Sequence, residues 1–158
     1  MAALEVAVLV LACHDEQLTP VTAQQTDSVV YLTVSTSHPA VGSTITVTAN
    51  VAPRVGLNPV GSFKARLQYD PTGLTFLQES RLPTGLRALN PQQGHVIVAG
   101  AAAEGFTDGR LFAVTFRAQR PAALASLELE IVELNGTDFA DQRPAVRGSS
   151  LRVLGTRP

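Results

Sequence analysis

The chain has 158 residues, 45% of them apolar, and its 12 basic and 13 acidic residues leave a net charge of −1. This balance argues against nucleic acid or an anionic membrane surface as the main partner, because both select proteins with a basic excess. Two Tyr, six Phe and no Trp argue against a protein built to stack on bases or sugars. A single cysteine excludes an internal disulfide, and the length suits one domain whose core needs none.

The first 13 residues form an apolar leader. Every residue from Met1 to Cys13 except Glu5 is apolar. An apolar run of about seven to fifteen residues that ends at a small residue is typical of a secretory signal, whereas a membrane-spanning helix needs about 20. Such a signal normally begins with basic residues, which this leader lacks. A start codon assigned too far downstream would explain the missing charge and the short leader. The alternative interpretation is a buried N-terminal strand with an inert thiol.

The segment V-L-A-C at positions 10–13 resembles the lipobox of bacterial lipoproteins. The resemblance implies that Cys13 is lipidated and becomes the first residue of the mature chain. His14, rather than Asp, follows the cysteine, and in such lipoproteins this favours the outer membrane of a Gram-negative cell. We therefore expect an extracytoplasmic, membrane-anchored lipoprotein at the outer membrane or cell surface.

Three segments follow the leader. Residues 14–27 are polar, contain Pro20 and show little periodicity, so we predict a tether that spans about 20 Å root mean square. Residues 28–154 contain a regular alternation of apolar and polar positions, which predicts one folded domain. Residues 155–158 form a short tail.

The folded domain shows the period of two that is typical of half-buried β-strands. In the third such run, Phe63, Ala65 and Leu67 share one face, while Lys64 and Arg66 share the other. The predicted strands cover residues 30–35, 44–51, 62–69, 74–77, 95–99, 111–118, 127–132 and 150–154.

Turn-forming residues separate these strands. Asp70–Gly73 predicts a turn, because proline fixes φ at its second position and glycine permits positive φ at its fourth. Asn90–Gly94 and Asn135-Gly136 are predicted turns as well, and helix is limited to single turns at 101–104 and 121–125. Short strands without a βαβ alternation predict an all-β, antiparallel jelly-roll sandwich of about nine strands.

The order of several motifs is similar to that in cohesin domains. The most specific parts are Y-D-P-x-x-L and L-F-x-V-T-F, in that order. The resemblance covers about residues 28–154 and implies the nine-stranded jelly roll that cohesins share with cellulose-binding modules of the same superfamily. The matching segments are H-P-A-V-G (38–42), F-K-A-R-L-Q-Y-D-P-T-G-L (63–74), H-V-I-V-A-G (95–100) and G-R-L-F-A-V-T-F-R-A (109–118).

The same resemblance implies a binding site. Cohesins bind dockerin modules through one face of the sandwich, and the register from the Y-D-P motif places Ser62 and Lys64 outward on that face. Glu104 stands at the acidic end of the middle strand, and Phe139 stands at an apolar contact position. Lys64 occupies a position where many cohesins have an acidic or amide residue. The alternative interpretation is a solvated strand face with Phe139 packed into the core.

No motif predicts catalysis or a resident cofactor. The sequence contains no G-x-S-x-G, P-loop or H-E-x-x-H, and its three histidines lack metal-ligand spacing. The loop 133–141 gathers oxygen ligands that suit a structural calcium ion, although its spacing departs from an EF-hand. A glycosidase needs two carboxylates about 5 to 9.5 Å apart across a cleft, and the candidates are Asp70, Glu79, Asp108, Glu128 and Glu130.

We therefore expect a non-enzymatic, cohesin-like binding domain that attaches a dockerin-type protein partner at the cell surface. The alternative is a carbohydrate-binding module involved in polysaccharide binding or degradation, for which Tyr31 is the aromatic side chain placed on an outer face. A third interpretation is an assembly subunit with an exposed edge strand that pairs with another protein. We expect no nucleic-acid partner and membrane contact only through the lipid anchor.

Overall fold

The computed structural model describes residues 30–52, 58–145 and 150–152. These residues form nine strands and two short 3₁₀ helices, Ala123–Ser126 and Arg143–Ala145. The all-β prediction of about nine strands with little helix is confirmed. The strands are β1 (Val30–Val34), β2 (Thr44–Val51), β3 (Val60–Gln68), β4 (Leu74–Glu79), β5 (Leu86–Gln92), β6 (His95–Ala101), β7 (Arg110–Ala118), β8 (Glu128–Gly136) and β9 (Ser150–Arg152).

The strands form two antiparallel sheets whose inner faces share one core. One sheet has four strands in the order β1-β2-β7-β4, and the other has five in the order β5-β6-β3-β8-β9. Strands far apart in sequence are therefore neighbours, as β2 and β7 are in one sheet and β3 and β8 in the other. No helix in the described part of the chain is long and apolar enough to span a membrane.

The period of two in the sequence corresponds to burial in the structure. On β2, Ile45, Val47 and Ala49 are fully buried. On β3, Ala65 and Leu67 are fully buried, whereas Lys64 and Arg66 face outward. Each strand therefore contributes one apolar face to the core, and its other face is free to carry polar side chains.

The centre of the core is aromatic. Phe63 packs edge-on against Phe106, with ring centroids 5.2 Å apart, and stacks at 6.1 Å on Phe112 of the other sheet. Tyr69 and Phe116 form a second edge-on pair at 5.0 Å. Aromatic pairs in these geometries add about 0.5–1.5 kcal/mol beyond the area they bury. These contacts join the two sheets beneath β3 and β7.

Strand β5 is the element that the sequence did not predict. It runs through residues 90–92, which were predicted as part of a turn, and it pairs with β6 alone at the edge of its sheet. Its outward residues are exposed, and Arg87 occupies an inward position, so the apolar alternation is weak. Pro91 is tolerated because an edge strand has one side without ladder hydrogen bonds. The missing N–H at Pro91 also disfavours pairing of this edge with another chain.

Two other local predictions were wrong. Asn135-Gly136 was predicted as a turn but ends strand β8, where both residues pair with β3. The turn comes later, where Phe139 N donates to the carbonyl of Gly136 at 3.0 Å. Residues 101–104 were predicted as a single helical turn, but Ala101 ends β6 and the following residues form a non-helical turn. The helical turn expected at 121–125 corresponds to the 3₁₀ helix Ala123–Ser126.

Candidate functional site

We call the outward side of the five-stranded sheet the five-stranded face. Strands β5, β6, β3 and β8 of this face, with the turns that follow them, carry most of the predicted site. Ser62 is half-buried on this face, between Ala101 of β6 and Asn135 of β8. Asn135 donates a hydrogen bond from Nδ2 to Ser62 Oγ at 3.3 Å. Ser62 is therefore fixed in position at the end of the face where β3 begins.

An apolar cleft of about 430 Å³ opens at this end of the five-stranded face. Its walls include the side chains of Leu86, Ala101, Thr137 and Phe139, and Ser62 also lines it. Leu86 is 81% exposed and Phe139 is 89% exposed. Two large apolar side chains thus stand in solvent on either side of one cleft, which is typical of an interaction surface.

Phe139 is held outside the core by its turn. It adopts a positive φ of 65°, which costs a non-glycine residue about 1–2 kcal/mol. The preceding Asp138 accepts hydrogen bonds from Ala140 N at 3.2 Å and from Asn58 Nδ2 at 2.7 Å. These bonds keep the pKa of Asp138 below its usual value. The expectation that Phe139 packs into the core, which was one part of the alternative interpretation, is therefore wrong.

Leu86 is directed outward because Arg87 is anchored inward. Arg87 donates from Nε to the carbonyl of Leu111 and from Nη2 to the carbonyl of Arg110 at 3.1 Å. Its guanidinium also lies 5.1 Å from the ring centroid of Phe106. Both carbonyls belong to β7 in the other sheet, so Arg87 ties the edge strand β5 across the end of the sandwich. Sequence reasoning missed Leu86 because it missed β5.

The next row of the five-stranded face is charged. Lys64 is exposed and lies between Ala99 of β6 and Glu133 of β8. Neither Lys64 nor Glu133 forms an ion pair or hydrogen bond with the residues that the structure describes. In the row beyond, Arg66 Nη1 donates to Glu130 Oε2 at 2.9 Å. Among the described residues, Arg66 is therefore paired within the face, whereas Lys64, nearer the cleft, has no ion-pair partner. Glu133 interacts electrostatically with Arg143 of the second 3₁₀ helix.

Glu104 lies in an exposed turn after β6 and directly follows Ala103, which lines the cleft. The resemblance to cohesins implied four site residues. Of these, Ser62 and Phe139 line the cleft, and Lys64 lies in the adjacent row. The structure thus brings three of them to one end of one face and leaves Glu104 at its rim.

Solved cohesin structures have the same architecture. A type II cohesin from a mutant cohesin–X-dockerin complex of Acetivibrio cellulolyticus has a TM-score of 0.55 at 13% identity, over 72% of this chain and 90% of that one. The sixth cohesin of scaffoldin B from the same organism, in complex with a mutant Cel5 dockerin, has a TM-score of 0.53 at 15% identity, over 71% and 89%. A non-cellulosomal cohesin from the hyperthermophilic archaeon Archaeoglobus fulgidus has a TM-score of 0.53 at 24% identity, over 71% and 81%.

This chain has a cohesin-like fold. No family model and no curated protein sequence matches it. At these identities the likeness establishes the architecture, and the partner has to be argued from the five-stranded face itself.

The motifs that carry the resemblance maintain this cohesin-like fold. Phe112 and Phe116 are fully buried, and Tyr69 is 9% exposed and donates from its hydroxyl to the carbonyl of Gln92 at 3.1 Å. Asp70 accepts hydrogen bonds from Thr72 N at 2.8 Å and from the Thr72 hydroxyl at 2.7 Å, which closes the predicted turn. These residues therefore serve folding rather than recognition.

Acidic groups elsewhere in the cohesin-like fold are engaged in local contacts. Asp70 pairs with Arg120, Asp108 with Arg110 at 3.1 Å, and Asp141 with Arg143 at 2.7 Å. In the predicted calcium loop, Asp138 and Asp141 both accept hydrogen bonds from protein donors. Among the described residues, no three His, Cys, Asp or Glu side chains are grouped so that they could hold a metal ion.

Tyr31 lies on the opposite side of the sandwich. It is half-buried on the outer side of β1 and pairs with Asn50 of β2. It therefore takes no part in the five-stranded face. The predicted leader with Cys13, the tether 14–27 and the tail 155–158 lie outside the described residues.

Proposed function

We propose that this chain is a non-enzymatic, extracytoplasmic module that binds a dockerin-type protein on its five-stranded face. The observation that carries the proposal is the apolar cleft, flanked by the exposed side chains of Leu86 and Phe139. Support also comes from the fold, since two of the similar cohesins were solved in complexes with dockerins.

The cleft has the composition of the centre of a protein interface. Leu86 and Phe139 project from opposite sides, and a partner that covers them removes apolar surface from water. Burying such a side chain contributes about 1.5–3 kcal/mol. Polar and charged side chains, among them Ser62 and Lys64, border the cleft on β3. An apolar centre with a polar rim is the usual arrangement of a binding interface.

Three aspartates in the loops of the described residues are suited to stabilising turns rather than to acid–base catalysis. A general acid or base works best with a pKa near the working pH. The pKa values of Asp70, Asp138 and Asp141 are instead lowered by hydrogen bonds within their loops. These carboxylates stabilise turns, and the proposal gives the five-stranded face no chemical step.

The test is a binding panel of purified dockerins, including the X-dockerin and Cel5 dockerin types of the related complexes, against the immobilised chain. We expect at least one dockerin to bind, and Leu86→Asp and Phe139→Asp to weaken its binding about tenfold or more, as truncations at interface centres do. Val41→Asp is the matched control, because Val41 is also a large exposed apolar residue, at 61%, but does not line the cleft.

Leu86→Asp and Val41→Asp should unfold at about the wild-type temperature, since both side chains are exposed in the free chain. Phe139→Asp should unfold at the same or a slightly higher temperature, because Asp adopts a positive φ more readily than Phe does. The proposal is rejected if no dockerin binds. It is also rejected if Val41→Asp weakens binding as much as Leu86→Asp and Phe139→Asp do, because the cleft would then have no special role.

We also propose that the chain is exported and anchored through lipidated Cys13. The support is the apolar leader and its V-L-A-C ending, together with the polar segment that follows it. Metabolic labelling with a palmitate analogue in a Gram-negative host should label the wild type and leave Cys13→Ala unlabelled. An unlabelled wild type would refute the anchor and leave the binding proposal intact.

Carbohydrate binding by the four-stranded sheet is the second candidate function. Tyr31 lies on the same side of the sheet as three half-buried threonines: Thr33 pairs with Thr48 across the ladder, and Thr46 lies two residues before Thr48 on β2. Hydroxyl groups both donate and accept hydrogen bonds, which suits a neutral sugar. Affinity gels that contain different polysaccharides provide the test: retardation that Tyr31→Ala abolishes supports this function, and migration unchanged by every polysaccharide rejects it.

A further inference from the structure

We propose that Lys64 selects the partner of the five-stranded face, and that this partner presents a carboxylate beside the apolar side chain that enters the cleft. The inference rests on the proposed function and specifies the chemistry of the partner. It follows from three features of the described residues: the position of Lys64, the contacts that its neighbours make, and its spacing from the cleft.

Lys64 lies at the centre of the five-stranded face. Strand β3 is the middle strand of its sheet, so that two strands lie on each side. The neighbours of Lys64 on one side are Ala99 of β6 and, beyond it, Ala88 of β5, and both are exposed. A methyl group is too short to cover a lysine side chain, so the ammonium group is open to a partner from that side.

The charge of Lys64 is not neutralised by an ion pair. Glu133 occupies the opposite position on β8, yet the two side chains form no ion pair in the described structure. A β-bulge follows Lys64 at this point of the ladder, and bulges twist a strand and change the direction of its side chains. Arg66, in the next row, is by contrast paired with Glu130 at 2.9 Å. Lys64 is therefore the cation of β3 that a partner carboxylate can pair with at no cost to an internal contact.

The distance between Lys64 and the cleft fits a helix of the partner. Ser62 lines the cleft, and Lys64 follows it by two residues on the same side of β3, which is about 7 Å along a strand. Side chains at positions i and i+4 of a helix are about 5–6 Å apart at Cβ. A helix with an apolar residue at one of these positions and Asp or Glu at the other would reach both features together.

Glu133 adds a second requirement. It lies one strand spacing from Lys64 and carries the opposite charge. Arg143 of the second 3₁₀ helix already interacts electrostatically with Glu133, so the β8 side of the row needs no basic residue from the partner but is unfavourable for a carboxylate. An acidic residue there would face Glu133 and lose affinity through like-charge repulsion. The row of Lys64 and Glu133 thus distinguishes partners by where their carboxylates lie along the row, as well as by whether they have any.

The experiment uses the dockerin that binds best in the panel and measures its affinity and association rate for wild type, Lys64→Gln and Lys64→Glu. We expect losses of about threefold for Lys64→Gln and about tenfold or more for Lys64→Glu, with slower association at low ionic strength, as charges at an interface rim produce. Arg66→Gln is the matched control and should change affinity less than about twofold, because that charge is already paired.

Rescue completes the test. A dockerin variant in which a contacting carboxylate is replaced by lysine should bind Lys64→Glu more tightly than it binds wild type. The selection by Lys64 is overturned if Lys64→Glu binds as wild type does while Leu86→Asp abolishes binding, and that result leaves the proposed function standing. It is also overturned if Arg66→Gln weakens binding as much as Lys64→Gln does. If no dockerin binds the wild type, the proposed function fails, and this inference fails with it.

Discussion

Gly100 allows β6 to lie against the core directly beneath the apolar cleft, and we expect Gly100→Ala to destabilise the fold. Gly100 faces inward, opposite Phe63 on β3 and Arg87 on β5. A methyl group there would lie 2.8 Å from Phe63 Cζ and still closer to Cε1, and 3.2 Å from Phe106 Cζ. Carbon atoms pack favourably at about 3.5–4.0 Å, so either the Phe63 ring or the strand has to move.

Two opposing effects set the size of the change. Adding a methyl group to a packed core costs about 1–3 kcal/mol. Alanine otherwise gains about 0.5–1 kcal/mol over glycine in a strand, because the unfolded chain loses less freedom. The overpacking is larger, so we expect a net loss of about 1–2 kcal/mol in the free energy of unfolding. For a domain of roughly 130 residues, each kcal/mol lowers Tm by about 3–4 °C.

Urea unfolding of a double-mutant cycle provides the assay. Phe63→Leu removes the ring that clashes and costs stability by itself. If the clash is the cause, the double variant should be more stable than the sum of the two single changes predicts, since the shorter side chain makes room for the methyl group. Additive losses would refute the clash, and a Gly100→Ala variant as stable as the wild type would refute the packing argument altogether.

Two further predictions concern the turn at Asp70 and the tie made by Arg87. The pKa of Asp70 is lowered chiefly by hydrogen bonds from the hydroxyl and N–H of Thr72, with Arg120 contributing less. The ionised form of Asp70 therefore stabilises the fold at pH values above its usual pKa of 3.8, and this contribution is lost as pH falls through the lowered pKa. The urea midpoint of Asp70→Asn should decline less than that of wild type below about pH 4. Equal declines of the two midpoints would contradict the assignment. Arg87→Met leaves the carbonyls of Leu111 and Arg110 without their guanidinium donors, so we expect a loss of about 1–3 kcal/mol in urea unfolding, and an unchanged midpoint would show that water replaces the guanidinium.

The strands that contribute to the core could be predicted from the sequence, because a strand with one buried face alternates apolar and polar residues. Strands such as β2 and β3 alternate cleanly, since one side of each must enter the core. The turn predicted at Asp70–Gly73 is confirmed by the hydrogen bonds that Gly73 N and Thr72 N donate to Asp70, although Gly73 does not adopt the positive φ that the prediction invoked. Outward placement of Ser62 and Lys64 followed from the same alternation, as did the outer position of Tyr31.

The apolar cleft could not be predicted in the same way. Leu86 belongs to an edge strand whose outward residues are exposed and whose inward position carries Arg87, so its sequence lacks the apolar alternation on which prediction depends. Asn135-Gly136 has the composition of a turn, but pairing with β3 keeps both residues in β8. This shifts the turn and exposes Phe139. In both places, tertiary pairing outweighs the local preference of the sequence.

Period-two alternation also explains how a cohesin-like fold can acquire a new partner. Substitutions on the outward side of β3 leave the inward contacts of Phe63, Ala65 and Leu67 unchanged, because successive side chains point to opposite faces. The five-stranded face can therefore lose its charge at Lys64 at little cost to stability, whereas Gly100 cannot gain a methyl group without disturbing the core. Identities of 13–24% between chains of one architecture fit this separation. Under the proposed function, a few exposed residues around the cleft select the partner. Lys64→Gln should then weaken binding while it leaves the urea midpoint nearly unchanged, whereas Lys64→Glu should also lower the midpoint slightly, because the new carboxylate lies opposite Glu133 and like charges in such a pair cost about 0.2–1 kcal/mol.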